Sequence, residues 1–141
     1  MFDKKYVDRL REWSEFRNLL ETAEDPFQDV IDFYNNAPTV SITVDPYNAE
    51  TWFSPWELLY ENVYCNFSII LGIMYTLQLT DRFSTASFGI YITTDREKSE
   101  VKYLLHIDEN VIGYNTNHVV KAADLPVHLI IEKQFTPLNL Q

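Results

Sequence analysis

The sequence predicts an α+β domain in which N-terminal helices and a central helix pack on an antiparallel β-meander. Apolar residues recur at helical spacing through residues 1–79, whereas they alternate with polar residues after residue 88. A run of helices followed by a run of strands is typical of the α+β class. We find no internal repeat or linker, so we expect a single domain over residues 1–141, with a helical N-terminal arm (1–36) and an α+β core (39–135).

Two helices are predicted in the arm. Residues 3–23 place apolar side chains on one face and charged side chains on the other. A second helix begins at Asp25-Pro26, because aspartate is a good N-cap, proline fits the first turn, and Gln28 stands three residues after the cap. The run from Asn35 to Pro38 ends it.

A short strand and a capped helix follow. Residues 39–44 alternate apolar and polar side chains, which indicates a strand, and residues 45–48 form a turn signal. The segment Ser54-Pro55-Trp56-Glu57 is a capping box with proline at the first helical position. The helix that it starts is short and ends near Asn62.

A longer, apolar helix is predicted from about Cys65 to Leu79. Gly72 lies inside this helix, where glycine costs up to ~1 kcal/mol unless close packing requires it. The only cysteine of the chain therefore stands where one helix stops and the next begins.

The second half predicts the meander. Phe88, Ile90 and Ile92 alternate with polar or small residues, and residues 95–99 form a charged turn. The remaining predictions are a strand over 101–108, a two-residue turn at Glu109-Asn110, a returning strand over 111–115, one helical turn at 121–125, and a last strand over 127–135.

Composition excludes several classes of function. The net charge of −10 argues against nucleic-acid binding and against anionic membrane surfaces. Aromatic residues make up 15% of the chain, so some must lie at the surface, where they hint at a protein partner. A single cysteine excludes an internal disulfide and any zinc site built from several thiolates. The start of the chain lacks the apolar core of a signal peptide, and the apolar stretch 69–75 is too short to span a bilayer.

Cys65, His106 and Asn115 are the candidate catalytic residues. A thiol at a helix N-terminus feels the positive end of the macrodipole, which favours the thiolate. With a turn at Glu109-Asn110, His106 pairs with Gly113, and Asn115 becomes its diagonal neighbour, able to orient the ring while the ring faces Cys65. This is the arrangement of thiol enzymes, in which a base lies beside the nucleophile and a third residue fixes the base.

Alternatives stay open at each of these positions. Cys65 fits a buried structural cysteine equally well, His106 fits a histidine without a role, and Asp108 is a second candidate for orienting it. His118 and His128 have no ligand pattern nearby, and three glycines cannot form a phosphate-binding loop. We therefore expect no metal and no cofactor. A small-ligand binding protein would require a deep apolar pocket.

The layout from Ser54 to Asn115 resembles the transglutaminase-like superfamily, including the related bacterial cysteine peptidases. The resemblance rests on Pro55-Trp56-Glu57-Leu58-Leu59 followed closely by Cys65, then His106 and Asn115. It implies a central helix that begins at the nucleophilic cysteine, with the histidine and the asparagine on successive strands. The bulky Asn62-Val63-Tyr64 before the cysteine, and Ile107 after the histidine, depart from the family pattern.

The whole chain is also similar to small proteins of T4-like cyanophages, through the stretches Thr51–Leu58 and Tyr75–Phe83. This resemblance implies a virion-associated or assembly protein that acts through protein–protein interaction, with phage structural proteins as partners, in the host cytoplasm or the virion. The alternative function is a thiol hydrolase or acyltransferase that uses Cys65, His106 and Asn115.

Overall fold

The computed structural model describes residues 1–41 and 44–137 and shows an α+β fold. In these residues a helical half precedes an antiparallel sheet. The helices are α1 (Tyr6–Leu20), α2 (Pro26–Tyr34), α3 (Pro55–Glu61) and α4 (Asn66–Gln78). The strands are β1 (Phe88–Asp95), β2 (Glu100–Ile107), β3 (Asn110–Ile112), β4 (Val120–Lys121) and β5 (Leu129–Phe135), with short 3-10 turns at Ala49–Thr51 and Ala122–Asp124.

The predicted starts of α2 and α3 are confirmed, and a side-chain hydrogen bond to the first turn fixes each of them. α1 begins at Tyr6, three residues later than predicted, and its N-cap residue makes no such bond. The Asp25 carboxylate accepts the backbone N–H of Gln28. Ser54 and Glu57 form both bonds of the capping box, at 3.2 and 3.1 Å. Asn62 ends α3 with a left-handed φ of 52°, and Cys65 is the N-cap residue of α4.

The predicted strand over residues 39–44 is wrong in the part that the structure describes. Thr39 makes a single parallel bridge with Tyr64, supported by hydrogen bonds from Val40 N–H to Tyr64 C=O and from Tyr64 N–H to Pro38 C=O. The chain therefore pairs with the link between α3 and α4 and does not enter the sheet. Ile42 and Thr43 lie outside the described residues.

All five strands run antiparallel in the order β4-β3-β2-β1-β5. The four predicted strands of the meander correspond to β1, β2, β3 and β5, whereas β4 was not predicted. β5 returns to pair with β1, so it lies at the opposite edge of the sheet from β4. α4 packs on one face of the sheet, against Ile90, Leu105, Ile107 and Ile112. The segment between β4 and β5 joins opposite edges of the sheet.

The N-terminal helices belong to the same hydrophobic core as the rest of the chain. Thr76, buried in α4, joins them. Its hydroxyl accepts a hydrogen bond from the indole N–H of Trp13 at 2.9 Å and donates one to Gly72 C=O at 2.7 Å. Because that donation uses its only proton, the Tyr34 hydroxyl, 3.0 Å away, is the donor in the third bond. One side chain thus ties α1 and α2 to α4.

Gly72 is needed for this contact. A Cβ at Gly72 would lie 2.5 Å from Cε1 of the Tyr34 ring, which is far inside van der Waals contact. The close approach anticipated for this glycine is therefore present. Burial raises the pKa of Tyr34 to about 12, so its hydroxyl keeps the proton that it donates to Thr76.

Replacing Thr76 by valine should destabilise the protein by about 3 kcal/mol. Thr76→Val keeps the shape but leaves two buried donors without an acceptor, and each orphaned group costs about 1–3 kcal/mol. Urea unfolding measures the loss, and Thr116→Val on an exposed loop is the matched control. A change below about 0.5 kcal/mol in Thr76→Val would contradict the role assigned to this hydroxyl.

Candidate functional site

Cys65 lies at the start of α4, as predicted, and is only 6% exposed. Its sulfur is 3.2 Å from the Ser68 hydroxyl, one turn along the helix. The thiol belongs to the hydrophobic core that α4 shares with the sheet, and burial, with a smaller contribution from Cys65, raises the pKa of Tyr103 on β2. The cysteine is therefore part of the core between α4 and β2.

His106 lies on the opposite face of the sheet, which corrects the prediction that it faces Cys65. Leu105 and Ile107 point toward α4 and are fully buried, so the intervening His106 points away from α4. Its ring packs against that of Tyr91, with centroids 4.2 Å apart, and burial lowers its pKa. The physical reason is the alternation of strand side chains: the strand buries its more apolar set against the helix.

Asn115 does not orient His106 either. The hairpin turn lies at Asp108-Glu109, one residue earlier than predicted, with Asp108 at a φ of 50°, so His106 pairs with Val111 and not with Gly113. β3 ends at Ile112, and Asn115 stands in the loop beyond, where its side chain accepts the N–H groups of Asn117 and His118. The structure therefore does not bring Cys65, His106 and Asn115 together.

Native Cys65 should react slowly with iodoacetamide, at least about tenfold more slowly than in denaturant, because the thiol is sealed in the core. His106→Ala should leave the pH midpoint of labelling unchanged, since the imidazole lies across the sheet. Mass spectrometry of the alkylated protein measures both quantities, with His118→Ala as the control. A midpoint that moves by a full pH unit in His106→Ala alone would restore the catalytic alternative.

A cavity of about 470 Å³ lies between α2, α4 and the sheet. Its floor is apolar and comes from five isoleucines: Ile31, Ile69, Ile70, Ile73 and Ile112. Its rim is polar and includes three asparagine side chains with one threonine: Asn35, Asn66, Asn115 and Thr116. We call this cavity the isoleucine groove. Asn115, which was predicted to orient His106, instead lies on the rim of this groove.

One wall of the isoleucine groove is an open edge of β2. β3 pairs with β2 only from Leu105 to Ile107, so the first residues of β2 extend beyond it. The Tyr103 carbonyl points toward Gly113, and the Lys102 carbonyl accepts a bond from Thr93 of β1 on the other side. Backbone groups alternate along a strand, so those of Val101 also face the groove. Among the described residues none pairs with Val101 on this side, and its side chain is 56% exposed.

A second polar cluster, formed by Asp95 and His128, was not recognised in the sequence. The buried Asp95 carboxylate accepts the N–H groups of Glu97 and Lys98, and His128 Nε2 lies 2.9 Å from it. Burial alone would raise the pKa of Asp95, but the Lys98 N–H, His128 and the Glu97 N–H hold it below its usual value. The cluster ties the end of β1 to the segment that enters β5. The two residues are 33 positions apart, so no local pattern could reveal the pair.

Asp95 should make the free energy of unfolding depend on pH in the acid range. A carboxyl whose folded pKa is lowered contributes stability that is present above the unfolded value, near pH 4, and is lost as the pH falls through the folded value. Asp95→Asn should be less stable at pH 7 and should lose less of its remaining stability between pH 5 and pH 2. Urea unfolding across this range checks the effect, with the exposed Asp124→Asn as control. Parallel curves for Asp95→Asn and the wild type would contradict it.

The described residues contain no group of three or more His, Cys, Asp or Glu side chains placed to hold a metal. Within the same residues, no helix has the length and apolarity required to cross a bilayer. A scan of the chain against protein-family models finds no match, and a search among curated proteins finds none either.

Proposed function

We propose that this protein acts through protein–protein interaction, by binding an extended segment of a partner along the open edge of β2 in the isoleucine groove. Following the resemblance to small cyanophage proteins, we propose that it serves as a virion-associated or assembly component. The observation that carries the proposal is the position of Val101, whose unpaired backbone groups line an apolar groove. Adding a strand to a sheet edge is a recurring mode of peptide recognition.

The composition of the groove supports an extended occupant. A segment added antiparallel or parallel to β2 would exchange backbone hydrogen bonds with Val101 and would point every second side chain toward the isoleucine floor. Amide side chains both donate and accept, so Asn35, Asn66 and Asn115 on the rim suit the backbone of a peptide that runs past them. The volume of about 470 Å³ is within the usual range for ligand sites.

Thiol chemistry is the weaker candidate function. A catalytic cysteine needs a base within hydrogen-bond reach. His106, the predicted base, lies on the other face of the sheet, and Cys65 itself is in the core. Binding at the groove needs neither residue.

Val101→Pro should weaken peptide binding while leaving the fold intact. Proline removes the N–H that faces the groove, and that N–H makes no bond to β1, so the β1–β2 ladder survives. The probe is an acetylated eight-residue peptide of alternating valine and serine, titrated while the amide signals of Tyr103 and Gly113 are followed by NMR. We expect at least about a fivefold loss of affinity, the value of one backbone hydrogen bond near 1 kcal/mol.

Two controls separate backbone pairing from simple apolar contact. Val101→Thr keeps the N–H and the branched shape and should bind within about twofold of the wild type. The same peptide N-methylated at every residue keeps every side chain but has no N–H group to donate along either edge, so it should not bind. Equal affinity of the methylated peptide, equal affinity of Val101→Pro, or no saturable binding by the wild type would each refute the proposal. Pairing of two protein copies would appear as dimers in sedimentation and would identify a different occupant.

A further inference from the structure

α3 presents two exposed aromatic rings on one face. Trp56 and Tyr60 lie one helical turn apart and are 51% and 64% exposed. Exposed apolar side chains that lie next to each other mark interaction sites, and tryptophan and tyrosine dominate binding energies there. Beside them on the same helix stand the exposed carboxylates of Glu57 and Glu61. We call these four residues the α3 face.

Both rings are held in place from beneath. Trp56 meets Trp13 edge to face, with centroids 5.7 Å apart and an interplanar angle of 81°. Tyr60 meets Tyr6 in the same way, at 5.2 Å and 82°. The rings are therefore fixed on α1 from one side while remaining half exposed on the other, so a partner would not have to order them.

The helical half of the chain, which carries the α3 face, is strongly acidic. Residues 1–61 hold 13 acidic and five basic residues, so they carry −8 of the net charge of −10. Of the nearby cations, Arg9 is buried and donates to the carbonyls of Leu59 and Tyr60. The guanidinium of Arg17 lies 4.3 Å from the ring centroid of Trp13. The protein therefore already stacks a guanidinium on an indole beneath this surface.

We propose that the α3 face binds an arginine-bearing segment of a partner protein. A guanidinium group stacks on the exposed faces of Trp56 and Tyr60, and its N–H groups reach the adjacent carboxylates. Arginine suits this surface better than lysine because its planar group stacks on aromatic rings and pairs with carboxylates in a bidentate way. This surface is separate from the isoleucine groove and gives the protein a second, independent contact.

The test uses the full chain and the peptide acetyl-(Gly-Arg)4-amide in 150 mM salt, with the Trp56 indole N–H signal and calorimetry as readouts. We expect saturable binding, about threefold weaker for the lysine peptide and absent for the glutamate peptide. Trp56→Leu should weaken binding at least about fivefold, whereas Tyr60→Phe, which keeps its ring, should bind within about twofold of the wild type.

Charge variants show whether binding depends on the carboxylates of the α3 face or only on the net negative charge of the protein. Glu57→Gln with Glu61→Gln removes two charges and keeps the capping box, because glutamine also serves there; we expect about a fivefold loss. Glu109→Gln with Glu132→Gln makes the same change in the sheet half and should stay within about twofold, as should Val101→Pro. Equal losses in the two double variants, an unaffected Trp56→Leu, or no saturable binding by the wild type would each overturn the proposal.

Discussion

The hydroxyl of Thr76 is the contact on which the helical half of the molecule depends. A threonine hydroxyl has one proton and two acceptor positions, and here all three are used, by Gly72, Trp13 and Tyr34. Gly72 supplies the carbonyl and also the space in which the Tyr34 ring lies. The helix therefore accepts a glycine in its interior, at about 1 kcal/mol, because the close approach of α2 depends on it.

Most elements could be predicted from the sequence because short-range chemistry determines them. The caps at Asp25 and Ser54 are bonds between residues three apart, and the alternation of Phe88, Ile90 and Ile92 is visible within β1. Which face of the sheet a strand residue occupies is not determined by such local chemistry. Since side chains alternate, the position of His106 depends on which set the sheet buries against α4, and two fully buried aliphatic residues outweigh one imidazole.

The candidate site could be predicted only in part, for reasons that lie in one loop. The sequence places Asn115 at the end of the predicted returning strand. In the structure its side chain accepts two backbone N–H groups of its own turn, and these hydrogen bonds compete with strand pairing. Gly113, at a φ of 110°, lies so close to the Tyr103 carbonyl that a Cβ would stand 2.2 Å from that oxygen. The strand ends there, and the early part of β2 is left without a neighbour. The open edge is thus a consequence of long-range packing that residue types alone do not specify.

An open strand edge can bind a specific partner, but it can also pair with any extended chain and so promote aggregation. β2 limits this with charges on both sides of Val101: Lys102 lies 3.4 Å from Glu100 in an ion pair at the groove. Such charges disfavour indiscriminate pairing of apolar strands. The edge that remains is short, so the affinity for an occupant must come largely from the isoleucine floor, and specificity follows from the side chains that reach it.

α3 is held in place by hydrogen bonds at its two ends, and this explains why its aromatic rings can remain exposed. A helix of seven residues is unstable alone in water. Here the capping box closes its first turn, while Arg9 donates to the carbonyls of Leu59 and Tyr60 in its last turn. Both ends are thus satisfied without help from Trp56 or Tyr60, whose outward faces contribute little to holding the helix. Rings that the fold positions but does not need to cover are available to a partner, and their order is established before binding begins.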